Sequence, residues 1–353
     1  MNAMNTQWLS RPADEKLLTL DDLHTHLQGE TDASRSTVVS NRTLEVQPLF
    51  DQETGKPKAR ELALLRKDTN QDLSPTHWSF GQLSALVGAP AGYMRKLPAP
   101  IAADCLNWGL HRRQVDEIGI YSMNTNDDGI MLRAATGPNY GRIHTTDLVE
   151  TVRDMQGNWT PMQMYASDRD AHMFLVDEDT PIEVGRTYKG EPELISRGFV
   201  AGNSEVGSKT LWFSSFLWRW ACSNRQIITK WDVESVRIRH TSGAPDRWRE
   251  EIQPAIAAYS AGNVDGIVSG IRDAKDARFR DQDDALKFLT EKRYGFAQGN
   301  AKAMLAQYEA EEGGAVQNVW DATQAVTGYA KNSPHQDTRV TMETIAGRML
   351  ESV

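Results

Sequence analysis

The spacing of apolar residues changes character twice along the chain. Residues 1–36 are polar, with Leu17-Leu18-Thr19-Leu20 as a short apolar patch, and read as a mobile N-terminal arm with one helical turn. From 37 to 50 the apolar points Leu44, Val46 and Leu49 suit an extended segment. The turn chemistry of Asp51-Gln52-Glu53-Thr54-Gly55-Lys56-Pro57 then predicts a return strand over 59–65. Helical spacing takes over at Ser74-Pro75-Thr76, with Trp78, Leu83, Leu86 and Val87 on one face and Gly88-Ala89-Pro90 as the stop. A short helix is expected at 93–97 and a longer one at 101–114. The longer one turns Ile101, Cys105, Trp108 and Val115 inward and places His111, Arg112 and Arg113 at its negative C-terminal end.

At Ile118 the period becomes two. Segments 118–123 and 130–134 flank a Gly-bearing loop and predict a hairpin; a second is expected across 167–170, between 162–165 and 172–176. A helix over 145–155 separates them, and 193–228 supplies further extended segments. Within 211–220 two patterns compete: Trp212, Phe216, Trp218 and Trp220 fit a strand, while Phe213, Phe216, Leu217 and Trp220 fit a helix. After His240-Thr241-Ser242-Gly243-Ala244-Pro245 the period stays helical. Asp246 reads as the cap of a helix carrying Trp248, Ile252, Ile256 and Tyr259, and further helices follow at about 263–279, 281–294, 300–311, 315–331 and 337–352. Strands followed by helices predict an α+β protein: mainly antiparallel sheet with inserted helices, then an all-helical C-terminal third. The expected units are the arm at 1–36, an α+β core at 37–243 and a helical region at 244–353 packed on that core.

Composition narrows the function. A net charge of −9 argues against a generally basic duplex binder, so a nucleic-acid site would have to be a local stripe. The two cysteines, Cys105 and Cys222, lack metal-ligand spacing and suit a reducing compartment. With no apolar leader and no membrane-length apolar run, the expectation is a soluble, cytoplasmic protein.

One stretch departs from the acidic background. From Lys209 to Arg249 there are eight Lys/Arg against three Asp/Glu, a local +5, and four of the ten Trp fall between Trp212 and Trp231. Extended to Glu251, the balance drops to +3. Rings beside cations are what a single nucleic-acid strand needs, since bases stack while phosphates are neutralised. A buried strand pair with a polar outer face gives the same pattern. Arg237 and Arg239 alternate with Val236 and Ile238, which puts both on one strand face.

Other candidates are thinner. Asp22-Leu23-His24-Thr25-His26 would suit a zinc-dependent hydrolase if it closed a buried strand and found further ligands, and the other six His lack such spacing. Asn203-Ser204-Glu205-Val206-Gly207-Ser208 could cradle a phosphate or simply form a tight turn. No nucleophile elbow, CxxC pair or dinucleotide fingerprint is present, so no catalytic residue, metal or cofactor is assigned, and binding is expected over catalysis.

Four ordered blocks carry a resemblance. They are Trp78-Ser79-Phe80-Gly81-Gln82-Leu83 with Gly88-Ala89-Pro90-Ala91-Gly92-Tyr93-Met94-Arg95-Lys96-Leu97-Pro98 and Asn107-Trp108; Leu132-Arg133-Ala134 with Asn139-Tyr140-Gly141-Arg142-Ile143-His144 and Asp147-Leu148; Gly202 to Ser208 with Trp220-Ala221-Cys222-Ser223-Asn224; and Asn318-Val319-Trp320-Asp321-Ala322-Thr323-Gln324-Ala325-Val326-Thr327-Gly328-Tyr329. Together they resemble the phage/plasmid-like proteins, a family of unknown function. That family usually has Gly after the Cys-Ser/Thr-Asn triplet, and Arg225 stands there in this chain. The resemblance brings no reaction; its genomic setting implies DNA maintenance. The resulting expectation is a mobile-element DNA-metabolism accessory that binds single-stranded DNA as a homo-oligomer, acting in annealing or recombination. Lys209, Arg219, Arg225, Lys230, Arg237 and Arg239 would contact phosphates, and whichever of Trp212, Trp218 and Trp231 is exposed would stack bases. The rival expectation is a non-enzymatic interaction protein acting on a host defence or replication factor; the metal-dependent hydrolase is the third.

Overall fold

A computed structural model describes residues 3–114, 116–127, 129–155, 157–228, 235–262 and 265–353. In chain order the first half contains β1 (Glu15–Leu17), α1 (Leu20–Ala33), β2 (Ser34–Ser40), β3 (Leu44–Phe50), β4 (Pro57–Arg66), β5 (Gln71–Pro75), α2 (His77–Leu86), α3 (Ala91–Met94), α4 (Ala99–Arg112), β6 (Glu117–Asn124), β7 (Ile130–Thr136) and α5 (Thr145–Asp154). Then follow β8 (Thr160–Ala166), β9 (Ala171–Val176), β10 (Ile182–Arg186), β11 (Pro192–Asn203), β12 (Leu211–Arg219), β13 (Asn224–Ile228) and β14 (Val236–Ile238). Six helices end the chain: α6 (Ala244–Ala261), α7 (Asp265–Asp276), α8 (Gln282–Leu289), α9 (Gln298–Glu312), α10 (Val319–Ala330) and α11 (Gln336–Leu350). The molecule is α+β with an all-helical last third. Among the described residues no helix is long and apolar enough to cross a membrane.

The strands form two sheets. One has the order β2-β6-β7-β5-β4-β3 and is antiparallel except for the parallel β5–β7 pair; the other runs β1-β8-β9-β11-β12-β13, with β10 beside β11 and β14 beside β12. The hairpins expected at 118–134 and 162–176 are β6–β7 and β8–β9. The extended stretch 37–50 is split by a short turn into β2, which pairs with β6, and β3, which pairs with β4.

Within the first 36 residues, β1 joins one sheet and the start of β2 joins the other. Thr19 caps α1 through a reciprocal bond with Asp22, and Leu20, Leu23 and Leu27 recur at helical spacing to bury one face. Trp8 has no exposed surface and lies 4.6 Å from the Phe80 ring. The polar composition that suggested an arm hid these few large apolar anchors.

α4 also differs in phase from the expectation. Its buried face is Ala99, Ala102, Ala103, Leu106 and Leu110, whereas Ile101 is 50% and Trp108 67% exposed and Cys105 is exposed as well. Small residues let the helix lie close over β3 and β4. Asn107 fixes its phase, accepting from Val46 N–H and donating to Val46 C=O, each at 2.7 Å, on the edge strand β3.

The 211–219 segment resolves as strand β12, buried throughout. Its odd residues join the helices: Leu211 and Phe213 pack with Trp248, Ile252 and Tyr259 of α6, and Leu217 packs with Ile271 of α7 and Trp320 of α10. Its even residues Trp212, Phe216 and Trp218 pack with Phe174 and with Val340 of α11. Covering on both faces erases the polar alternation by which a half-buried strand is usually read.

Candidate nucleic-acid interface

Arg225 lies in β13 opposite Trp218, with no exposed surface. Its guanidinium stacks 3.6 Å from the Phe174 ring centroid and donates to Glu343 at 2.9 Å, Gln163 at 2.9 Å and Gln336 at 3.0 Å. Burial pulls its pKa down to about 10, against the opposing charge of Glu343. Arg225 thus ties α11 to the sheet. The positive-φ residue of the preceding turn is Ser223, at 55°, two positions before the place where the resemblance expected Gly.

Arg219 is likewise interior. It donates to Glu193 at 2.8 Å and to Glu312 at 2.5 Å and is 4% exposed. Arg219 and Arg225 therefore do not belong to the surface phosphate row expected of them, because both are spent on buried carboxylates. Trp212 and Trp218 are also buried, at 6% and 3% exposure, so neither presents an open ring for stacking. Lys230 and Trp231 lie outside the described residues.

The remaining expected cations come together with help from a distant helix. Arg237 and Arg239 are exposed while Ile238 between them is buried, as the alternation predicted. Arg237 faces Trp212 across the β12–β14 pair. Lys209, Trp212 and Arg237 line a concavity of about 640 Å³ whose opposite wall is α11, contributing Thr341, Thr344 and Arg348. Among the described residues Arg237, Arg239 and Arg348 have no acidic partner, whereas Lys209 Nζ stands 3.6 Å from Asp170. Arg348 was missed because it lies more than a hundred residues downstream; its one local signal was a cation in the last turn of a helix.

The loop after β11 holds this wall in place. Gly202 faces Trp212 in the ladder, and a Cβ there would sit 2.4 Å from the indole Nε1; its absence lets the indole lie over β11 towards His172, at 5.9 Å between rings. His172 is fully buried, and burial pulls its pKa down to about 4, so it is neutral at pH 7. Asn203 donates to Ile143 C=O, Ser204 donates to Arg169 C=O at 2.6 Å, and Ser208 N–H donates back to Ser204 Oγ at 2.9 Å. This loop spends its polar groups on joining elements rather than on an open phosphate cradle. Its Glu205 accepts from Tyr121 Oη of the other sheet and from Thr145 N–H, both at 2.8 Å, with His144 Nδ1 at an ion-pair distance of 3.8 Å. Burial alone would raise the Glu205 carboxyl, but His144, Arg133 and the Thr145 N–H outweigh it and hold the carboxyl at about 2.

The Asp22–His26 string lies inside α1, not at a strand end. His24 meets Glu150 at 3.1 Å and His26 stands between Glu15 and Glu30 at 3.6 and 3.7 Å. No group of three or more metal-type side chains converges among the described residues. Residues two apart on a helix point about 200° apart, so these His cannot share an ion as alternate strand residues could.

No curated protein and no solved structure matches the chain. A family model, the domain of unknown function DUF932, matches residues 134–346, more than half of the 353 residues. The match runs from within β7 to within α11, so it takes in Lys209, Trp212 and Arg237 but stops short of Arg348. It is consistent with the resemblance to phage/plasmid-like proteins. This chain belongs to the DUF932 family.

Proposed function

We propose that this protein binds single-stranded nucleic acid in the groove between β12, β14 and α11, as a DNA-metabolism accessory of a mobile element in annealing or recombination. The observation that carries this reading is the meeting of Arg237 and Arg348, both exposed and without an acidic partner among the described residues, with Lys209 in one concavity. Cations left unpaired on a surface of a chain with net charge −9 mark a place for an anion. Trp212 lies beneath them, and exposed Arg239 follows just past the end of β14. Binding along a strand by several copies accounts for the expected homo-oligomer.

Fluorescence anisotropy with a labelled oligonucleotide at several salt concentrations tests this. Log affinity should fall linearly with log salt, and Arg237→Gln should make the slope shallower by about 0.7, the loss of one single-strand phosphate contact. No binding at low salt, or binding without a salt slope, overturns the reading.

One observation favours the rival. α4 presents Ile101, Cys105 and Trp108 to solvent, with Arg112 stacked 4.4 Å from the Trp108 ring, a face suited to a protein partner. Retention of a specific host protein after nuclease treatment, lost in Trp108→Ser, would favour an interaction protein over a nucleic-acid binder.

A further inference from the structure

Among the described residues, cations outnumber carboxylates in the groove. Lys209, Arg237 and Arg348 bring three cations to one concavity, and among the described residues no carboxylate lines it. Lys209 is offset by Asp170 at 3.6 Å. Asp337 also acts on Lys209, but it is committed to Arg11 at 2.7 Å. Among the described residues, two positive charges, those of Arg237 and Arg348, therefore remain for a ligand. An internal phosphodiester brings one negative charge. A phosphomonoester brings about −1.5 to −2 at pH 7, with three strong acceptor oxygens.

The shape points the same way. About 640 Å³ lies within the roughly 300–1,000 Å³ range of small-ligand pockets and would hold one nucleotide rather than a long track. The donors for a phosphate there are the guanidinium groups of Arg237 and Arg348, since the Thr341 and Thr344 hydroxyls on the α11 wall already donate to the Asp337 and Val340 carbonyls, each at 2.7 Å.

We infer that this pocket receives a phosphomonoester, the phosphorylated end of a strand or a free nucleoside monophosphate, in preference to an internal phosphodiester. The inference rests on the nucleic-acid reading of the same groove. On it, the protein engages broken or processed strands by their ends and not by their length.

The test uses the full chain and oligonucleotides of one sequence carrying a 5′-phosphate, a 3′-phosphate or neither, with deoxythymidine monophosphate as competitor. A phosphorylated end should tighten binding at least about tenfold, the worth of one charge-assisted hydrogen bond. The end that is preferred identifies the terminus, and competition by the mononucleotide at equal strength identifies a free nucleotide as the source. The preference should fall towards one in Arg348→Gln, and in Arg237→Gln as an independent variant. Equal binding of all three oligonucleotides overturns the inference and leaves the strand-binding reading standing. If no oligonucleotide binds, that reading falls; the monoester inference then survives only if calorimetry shows saturable binding of the mononucleotide.

Discussion

Arg225 shows how much one side chain's environment decides. In the sequence it sits in a run of cations and invites a phosphate; in the fold it and Glu343 are both without exposed surface, with Arg339 as a second partner of the carboxylate at 2.7 Å. Removing Arg225 takes one of the two cations from buried Glu343 and leaves Gln163 and Gln336 without their shared donor. Arg225→Met should destabilise the protein by about 3 kcal/mol in urea unfolding, and adding Glu343→Leu should not recover that loss, because buried Arg339 then loses its carboxylate too. Equal stability of wild type and the single variant would show that the pair does not anchor α11. The basic stretch itself was legible, because Lys, Arg and Trp are visible as letters. Which cations face water was not, since their carboxylates come from Glu193, Glu312 and Glu343, far away in sequence.

At the scale of elements, β12 and α11 form the structural centre of the site. α11 approaches β13 backbone to backbone at Gly347, where a Cβ would fall 1.9 Å from Ile227 C=O. Gly347→Ala must push the helix off the strand, and overpacking of this kind costs about 1–3 kcal/mol or more. Because α11 carries Arg348, Thr341 and Thr344, the variant should also weaken oligonucleotide binding at temperatures where it remains folded. Loss of stability with unchanged binding would separate α11 from the groove. The sequence predicted the helix at 337–352 and the strand pattern of 211–220 as one of two options. For α4 it chose the stripe of Ile101, Cys105 and Trp108 because large apolar residues weigh most in a periodicity. The alanine-rich stripe won because close packing on β3 and β4 and the paired bonds of Asn107 favour small side chains.

Across the whole molecule, Glu205 joins the two sheets by accepting from Tyr121 on one side and sitting in the loop after β11 on the other. Its carboxyl is held at about 2, against 4.5 for the free group, so its contribution is fully present above pH 4.5 and is lost as pH falls through about 2. Glu205→Gln should therefore be markedly less stable than wild type at pH 7, with the deficit shrinking between pH 4.5 and 2 in denaturant titrations. A deficit constant over that window would mean that shape, not charge, is what Glu205 supplies. By itself the sequence determined the α+β class, the two hairpins, the helical last third and the family blocks. Each of these is written in local period, turn chemistry or contiguous motif. Only the tertiary structure decided that β1 and the start of β2 tie the N-terminal segment to both sheets, that Arg219 and Arg225 are interior, and that Arg348 shares a groove with Lys209 and Arg237. Burial and ion pairing depend on what the fold brings from elsewhere, and hydrophobic period within a segment carries no record of its distant neighbours.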